Sequence, residues 1–265
     1  MIRSLFLFLI IGFTISCKTE FEKIRSNPDP NAVLAAADQY FEQGSYYNAQ
    51  TLYEQVIPFF RGKEEAEGLF YNYAYTHYNL GDYILATHYF KSFATSFYNS
   101  DKKEECDYMS AYSSYKLSPT SSLDQSFSQK AIDAFQTFIN TYPESERNGD
   151  CNNLIDELRS KLEQKAFDQG YLYYNLKQYN SAIYSFDSML KDFPASKKAE
   201  EVRFLIIKAG YQYADNSIYD KKSERFDKVI ENIKAFQKKY PKSKYNKELR
   251  TMNTDSNTKF LKYKS

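Results

Sequence analysis

One short phrase occurs four times along the chain and constrains its fold more than any other feature. It consists of an aromatic residue, a proline and, two positions after the proline, a serine, as in "FPAS" at 193–196. The copies "YPES" at 142–145 and "YPKS" at 240–243 match it, and "FYNS" at 97–100 lacks only the proline. Successive copies begin 45 to 51 residues apart. Regular spacing on this scale is typical of repeat proteins.

Each copy of the phrase ends a hydrophobic pattern that is typical of a helix. Apolar or small residues lie at offsets 0, 4, 7 and 11, which form one face of a helix with 3.6 residues per turn. A proline pushes the preceding residue out of the α region, so we expect the phrase to end one helix and its serine to cap the next. The predicted stripes are Ala49, Tyr53, Val56 and Phe60; Ala86, Phe90, Phe93 and Phe97; Ala131, Phe135, Phe138 and Tyr142; Ala182, Phe186, Met189 and Phe193; and Val229, Ile233, Phe236 and Tyr240.

A second helix is predicted ahead of each stripe. The pattern Ala-Tyr-x-x-Tyr-x-Leu occurs at 74–80 and 111–117, and Gly170 takes the alanine's place in a third copy. A small residue there lets paired helices approach closely, while Gly44 and Gly81 fall at turns, where a left-handed residue closes a helix. The chain has only 8 Gly and 7 Pro, which favours helices over a turn-rich β architecture.

These helix pairs resemble the tetratricopeptide repeat. The resemblance implies an all-α fold, a tetratricopeptide-repeat superhelix of about five helical hairpins over residues 31–250. Two inserts are predicted within it, at 118–130 and 216–225, and residues 145–176 are predicted to form one long helix. We expect residues 251–265 to form a polar C-terminal tail.

The first residues have the pattern of a signal peptide. A basic start is followed by an apolar run of about eleven residues, too short to span a bilayer as a helix. The run ends at "TISC", which resembles a lipobox with Thr14 in place of the usual aliphatic residue. We therefore predict a lipoprotein signal peptide at 1–16, acylation of Cys17 and a lipidated tether at 17–30. Cleavage of a plain secretory signal is the alternative.

The lipobox, the five repeats, the aromatic-proline-serine stops and the long first helix of the fourth repeat together resemble the BamD family. These proteins are lipoprotein subunits of the outer-membrane β-barrel assembly machinery. The resemblance implies a lipid anchor at the periplasmic face of the outer membrane and capture of unfolded outer-membrane proteins through their C-terminal segments. It also implies docking of the barrel-forming subunit, through its periplasmic domain, on the last two repeats around 203–250. A tetratricopeptide lipoprotein scaffold of another envelope complex, for cell wall or division, remains the alternative.

Sequence motifs for catalysis are absent. The chain contains no HExxH, GxSxG, GxGxxG or P-loop pattern, so we predict neither an enzyme nor a metal or cofactor site. His77 is predicted to lie on the inward face of its helix, and His88 to be partly exposed. Cys106 and Cys151 occupy positions that are apolar in the other repeats, and we expect both to be buried free thiols. A lipid-anchored enzyme or ligand-uptake subunit is the third alternative.

The overall charge gives no reason to expect nucleic acid as a partner. The whole chain has 35 basic and 34 acidic residues, and removal of residues 1–16 takes away Arg3, which leaves zero net charge. From this balance we expect no long-range electrostatic field.

A peptide-binding face is predicted on the first helices of successive repeats, which line the concave surface of such arrays. Its rings lie at −3, +1 and +4 from the small residue of each helix. In two of the helices an asparagine follows the last of these rings. The predicted face comprises Tyr71, Tyr75, Tyr78 and Asn79; Tyr108, Tyr112 and Tyr115; and Phe167, Tyr171, Tyr174 and Asn175. In the first repeat the same positions hold Leu34, Asp38 and Phe41. The alternative is that these side chains only fill the space between helices.

Overall fold

The structure, a computed structural model, describes residues 19–264. Over this range the chain forms helices and no strand, which confirms the predicted all-α fold of helical hairpins. The signal peptide and Cys17 lie outside the described residues. The helices are α1 (Glu20–Arg25), α2 (Pro30–Glu42), α3 (Tyr46–Phe60), α4 (Ala66–Asn79), α5 (Tyr83–Ser96), α6 (Lys103–Lys116), α7 (Ser126–Thr141), α8 (Asn148–Asn175), α9 (Tyr179–Asp192), α10 (Ala199–Asp215), α11 (Tyr219–Lys239) and α12 (Asn246–Lys264).

Two compact units divide the chain. Unit 1 extends to Ser118 and includes Ser126–Asn152, while unit 2 comprises Pro119–Gln125 and the chain from Asn153 onward. The predicted repeats correspond to the helix pairs α2–α3, α4–α5, α6–α7, α8–α9 and α10–α11. The predicted long helix is confirmed, since α8 continues for 28 residues without a break.

The predicted hydrophobic stripes form the cores of these hairpins. In α3 all four stripe residues are buried, and in α5, α7, α9 and α11 the first three are buried while the aromatic residue of the phrase is partly covered. Asp38 of α2, predicted to lie on the peptide face, instead accepts hydrogen bonds from the Tyr53 hydroxyl at 2.6 Å and the Asn72 amide at 3.0 Å. It therefore joins three helices of unit 1.

The phrase ends a helix in all four copies, with or without proline. The aromatic residue has φ −125° and ψ 67° at Phe193 and φ −110° and ψ 56° at Phe97, where the proline is missing. Its serine does not cap the next helix as predicted. The Ser100 hydroxyl oxygen accepts from the amide of Lys102, one residue before α6 begins, so it stabilises the turn itself.

In three copies the same serine also donates to a glutamate of the preceding first helix. The acceptors of Ser100, Ser145 and Ser196 are Glu67 at 2.8 Å, Glu104 at 2.6 Å and Glu163 at 2.7 Å. In these three copies the serine of the phrase therefore connects the turn to the first helix of the preceding hairpin.

The turn glycines and the small residue of α8 act as predicted, and a lysine takes the glycine conformation at one further turn. Gly44 and Gly81 have φ of 74° and 81°, and Lys177 takes the same left-handed conformation at the fourth hairpin with φ 59°. Gly170 lets α8 approach α9 closely, because a Cβ added there would lie 2.5 Å from two ring carbons of Phe186. The small residue is thus a packing requirement.

Three boundary predictions were wrong. Residues 20–25 of the expected tether form α1, whose Phe21 and Ile24 pack on the first core cluster. Most of the insert at 216–225 belongs to α11, and the expected C-terminal tail belongs to α12. α12 packs against α11 and buries Leu249 and Ser256.

The side chains of His77, Cys106 and Cys151 are buried between the helices. His77 stacks on Tyr89 with ring centroids 4.9 Å apart and meets the edge of Tyr73 at 4.7 Å. Burial lowers its pKa, so the ring is neutral at physiological pH. Cys106 and Cys151 are buried free thiols, as predicted, and burial raises their pKa values to about 12 and about 11.

Candidate functional site

Three tyrosines of α6 form a stack of rings in unit 1. Tyr108 and Tyr112 have ring centroids 5.8 Å apart at an interplanar angle of 12°, and Tyr112 and Tyr115 are 5.6 Å apart at 24°. All three side chains are half-buried. The stack forms because positions 108, 112 and 115 share one helical face.

Tyr78 of α4 extends this stack across the hairpin boundary. Its ring lies 6.3 Å from that of Tyr112. Burial raises the pKa values of Tyr78 and Tyr108, so both remain hydrogen-bond donors at neutral pH. In the described structure the hydroxyls of Tyr78, Tyr108 and Tyr112 make no hydrogen bond. We call Tyr78, Tyr108, Tyr112 and Tyr115 the tyrosine stack.

Cations lie over two rings of the tyrosine stack. The Arg147 guanidinium is 4.4 Å from the centroid of Tyr108, and the Lys116 ammonium is 5.9 Å from that of Tyr112. Neither cation was predicted from the sequence, although Lys116 follows Tyr112 by four residues, which is the spacing of helical neighbours. The stack therefore combines apolar ring faces, the free hydroxyls of Tyr78, Tyr108 and Tyr112, and positive charge.

Tyr71 and Tyr75 have a different role from the tyrosine stack. Their hydroxyls donate to the two carboxylate oxygens of Glu105, at 3.0 Å and 2.5 Å. The Tyr75 ring also packs edge-on against buried Phe90 at 4.9 Å. These contacts join α4 to α6, so the space-filling alternative describes Tyr71 and Tyr75 better than a free binding face does.

The predicted residues of the fourth repeat lie in unit 2, where they form their own stack. Phe167 and Tyr171 are 6.1 Å apart at 13°, and Tyr171 and Tyr174 are 6.4 Å apart at 27°. Tyr171 is exposed, with Lys198 placed 4.7 Å over the ring of Phe167. The two predicted asparagines are exposed at the C-terminal ends of α4 and α8; they are Asn79 and Asn175.

Unit 2 also contains a cleft between α9 and α11, with α10 at its base. Its volume is about 690 Å³, and its walls combine apolar side chains with charged ones. We call it the α9–α11 cleft; its lining includes Ile183, Asp187, Arg203, Ile206, Ile207 and Phe236. The Nε atom of Arg203 is buried and has no hydrogen-bond partner among the described residues, and burial raises the pKa of Asp187.

The corresponding positions of an earlier hairpin show what is unusual about this pair of charges. Lys91 follows the stripe residue Phe90 as Asp187 follows Phe186, and Asp107 follows Cys106 as Arg203 follows Val202. The Lys91 ammonium and the Asp107 carboxylate form an ion pair at 3.0 Å. In the α9–α11 cleft the signs are exchanged, and Asp187 and Arg203 form no ion pair in the described structure. The resemblance to the BamD family implied only the broader region 203–250 as a docking region.

Two other kinds of site are absent from residues 19–264. No group of three or more His, Cys, Asp or Glu side chains there could hold a metal ion. Within the same residues, none of the helices combines the length and apolar character that crossing a bilayer requires.

The family comparison matches nearly all of the described chain. A family model described as "YfiO: Outer membrane lipoprotein" matches residues 26–168 and 160–264. No curated protein sequence matches the chain.

Solved structures resemble the chain only at the level of helical repeats. The TPR2AB-domain:pHSP90 complex of yeast Sti1 is 12% identical, with a TM-score of 0.39, over 89% of this chain and 98% of that one. A Rap protein complexed with competence and sporulation factor is 13% identical, with a TM-score of 0.33, over 88% and 64% of the two chains. These scores are too low to support an argument about function.

Proposed function

Because the chain belongs to the YfiO family of outer membrane lipoproteins, we propose that it is a scaffold of the machinery that inserts β-barrel proteins into the outer membrane. A lipid on Cys17 anchors it at the periplasmic face. The first hairpins receive unfolded barrel proteins, and the last two dock the periplasmic domain of the barrel-forming subunit. The role is binding and not catalysis.

The tyrosine stack is the observation that supports substrate capture. Tyrosine adds rigid contact area at low entropic cost and offers a hydroxyl to a peptide backbone. Strands of outer-membrane barrels alternate apolar and polar residues and carry aromatic girdles. An extended segment of this kind can place apolar side chains on the rings, while Asn79 and Lys116 receive polar backbone groups or the terminal carboxylate. The stack of unit 2, Phe167 with Tyr171 and Tyr174, offers a second surface of the same chemistry beside Asn175.

Peptide binding by ring variants tests this assignment. A labelled C-terminal peptide of an outer-membrane barrel protein is titrated with the mature chain and followed by fluorescence anisotropy. Tyr78→Ala and Tyr112→Ala should each weaken binding about fivefold, or ~1 kcal/mol, the scale of an interface hot spot. Tyr75 is unsuitable for this test because its substitution also removes the hydrogen bond to Glu105.

The matched control is Tyr47→Ala on α3, an exposed tyrosine that is 74% accessible. It should leave the peptide affinity and the helical circular dichroism unchanged. Unaltered affinity in Tyr78→Ala and Tyr112→Ala, with normal helicity, would return the tyrosine stack to a packing role.

The α9–α11 cleft is the proposed docking site of the barrel-forming subunit. It combines an apolar base with the unpaired charges of Asp187 and Arg203, and an incoming acidic side chain beside an apolar anchor matches this arrangement. Binding of the purified periplasmic domain of that subunit is measured with Arg203→Ala. We expect a loss of at least tenfold, because a buried guanidinium contact is removed.

Arg159→Ala on α8 is the control, since this exposed arginine lies outside the cleft. Equal affinities for Arg203→Ala and the native chain would place the docking site elsewhere. Loss in both arginine variants would indicate general electrostatic attraction.

Lipid anchoring is tested by cell fractionation. Cys17→Ser should move the protein from the membrane fraction to the soluble one, because it removes the acyl chains that give stable membrane attachment. The fractionation is repeated in cells depleted of the barrel-forming subunit. An unchanged membrane fraction in those cells would contradict anchoring through Cys17.

A further inference from the structure

The four turns built by the aromatic-proline-serine phrase share one backbone structure but differ in charge. In each turn the serine hydroxyl oxygen accepts from the amide two residues later, at 3.0 to 3.2 Å. The eleven-residue stretches 95–105, 140–150, 191–201 and 238–248 have net charges of −1, −2, 0 and +4. Since three copies form the same turn without excess positive charge, the lysines of the last copy are not needed for the fold.

These lysines belong to a cluster of exposed cations at the junction of α11 and α12, which we call the basic corner. It comprises Lys238, Lys239, Lys242, Lys244, Lys247 and Arg250, all exposed. None of the six forms an ion pair with a described residue. Glu248, the one acidic residue in this segment, is paired with Lys208 at 3.2 Å. Glu200 and Glu201 border a shallow depression of about 590 Å³ with Lys242 and Lys244 and only partly offset their charge.

The turn that carries the basic corner is rigid. The Asn246 amide donates to the carbonyl oxygens of Tyr240 and Pro241, both at 3.0 Å. Tyr245 stacks on Phe204 with ring centroids 4.1 Å apart. Two of the lysines lie over neighbouring rings, Lys239 at 5.7 Å from the centroid of Tyr240 and Lys244 at 5.0 Å from that of Tyr245, and all six cations remain exposed.

Charge is also segregated between the two units. Unit 1 contains 12 basic and 18 acidic residues, whereas unit 2 contains 23 basic and 16 acidic ones. The expectation of no long-range field, drawn from the overall charge, is therefore wrong, because opposite excesses cancel only in the sum. The basic corner is the densest part of the positive excess.

We propose that the basic corner binds the anionic phospholipid surface of the membrane that carries the lipid anchor. No large apolar side chain of this segment is exposed, whereas the centre of a protein–protein interface is depleted of charge and apolar. Flat clusters of lysine attract anionic lipid without a built pocket. The inference rests on the anchoring in the proposed function, since the anchor keeps the chain close to that surface.

Vesicle binding tests the proposal with the mature chain carrying Cys17→Ser, which removes the lipid. Vesicles of phosphatidylcholine alone are compared with vesicles containing phosphatidylglycerol. The chain should bind only the anionic vesicles, and binding should fall as salt is raised. The triple variant Lys242→Gln, Lys244→Gln and Lys247→Gln should lower the partition coefficient about 100-fold, at about fivefold per cation.

The control triple removes the same charge elsewhere in unit 2, with Lys191→Gln, Lys221→Gln and Lys228→Gln. It should bind nearly as the native chain does. Equal losses in the two triples, or no binding to anionic vesicles, would overturn the proposal. Binding of poly-glutamate is measured as a second probe. If the native chain binds poly-glutamate but no vesicles, and the first triple loses that binding, the proposal is overturned in favour of an acidic protein partner. The peptide assay on the tyrosine stack is independent of these outcomes.

Discussion

Replacement of Gly170 by alanine tests the close approach of α8 and α9. An alanine Cβ would lie 2.5 Å from Cδ1 and Cε1 of Phe186 and 3.0 Å from its Cγ. Ordinary contacts between carbon atoms are about 3.5–4.0 Å, so the ring and the helix would have to separate by about 1 Å. Phe186 is completely buried in the core cluster of the fourth hairpin, so any shift of its ring must displace neighbouring side chains.

Two opposing effects set the size of the change. Overpacking of a core by one methyl group costs about 1–3 kcal/mol. Alanine in a helix interior is favoured over glycine by about 1 kcal/mol. We therefore expect Gly170→Ala to lower the free energy of unfolding by about 1–2 kcal/mol, the upper part of the net range, because the ring is enclosed.

Gly210→Ala is the matched control in the same unit. Its added Cβ would meet Val229 Cγ2 at 3.5 Å, which is an ordinary contact, so helix propensity should raise stability by about 0.5–1 kcal/mol. Both variants are compared with the native chain by urea denaturation followed at 222 nm. A Gly170→Ala variant as stable as Gly210→Ala would refute the close approach.

Three further predictions concern single side chains. Burial lowers the pKa of His77 below its usual 6.5 in the folded chain. The native chain should therefore lose stability as pH falls below about 6.5, because the unfolded histidine takes up a proton there. In urea titrations, His77→Phe should make this loss of stability smaller. The Asp82 carboxylate, 3.7 Å from Nδ1 of His77, favours the protonated ring and offsets part of the decrease in pKa. Asp82→Asn should therefore make the loss of stability at low pH steeper. Cys106 and Cys151 should both react with a thiol reagent in the denatured, unreduced chain and react slowly in the native one; a denatured chain without free thiol would show that they form a disulfide. Lys177→Gly should raise the melting temperature by a few degrees, because the left-handed conformation costs lysine about 1 kcal/mol; a lower melting temperature would contradict that strain.

The hairpins could be predicted because their signals are local. A stripe such as Ala182, Phe186 and Met189 and the phrase after it identify a helix and its end within about 15 residues. α12 was not predicted because only two of its residues, Leu249 and Ser256, are buried, and these two do not form an apolar stripe. Its helical state depends on packing against α11, which is a tertiary effect.

The candidate site was predicted less completely because its chemistry depends on contacts between helices. The spacing of the rings correctly placed Tyr108, Tyr112 and Tyr115 on one face. It could not distinguish Tyr112, with a free hydroxyl, from Tyr75, whose hydroxyl is bound by Glu105 thirty residues away. The lysines of the basic corner are evident in the sequence. A basic surface was not predicted because only the overall charge, which is balanced, entered the expectation.

Purification of the native lipidated chain from its own outer membranes tests the central claim most directly. The chain is extracted in mild detergent, captured by a C-terminal tag, and the proteins bound to it are identified and quantified. We expect recovery of the barrel-forming subunit in an amount close to that of the chain itself. Recovery of cell-wall or division proteins without that subunit would contradict the account and support the other envelope complex.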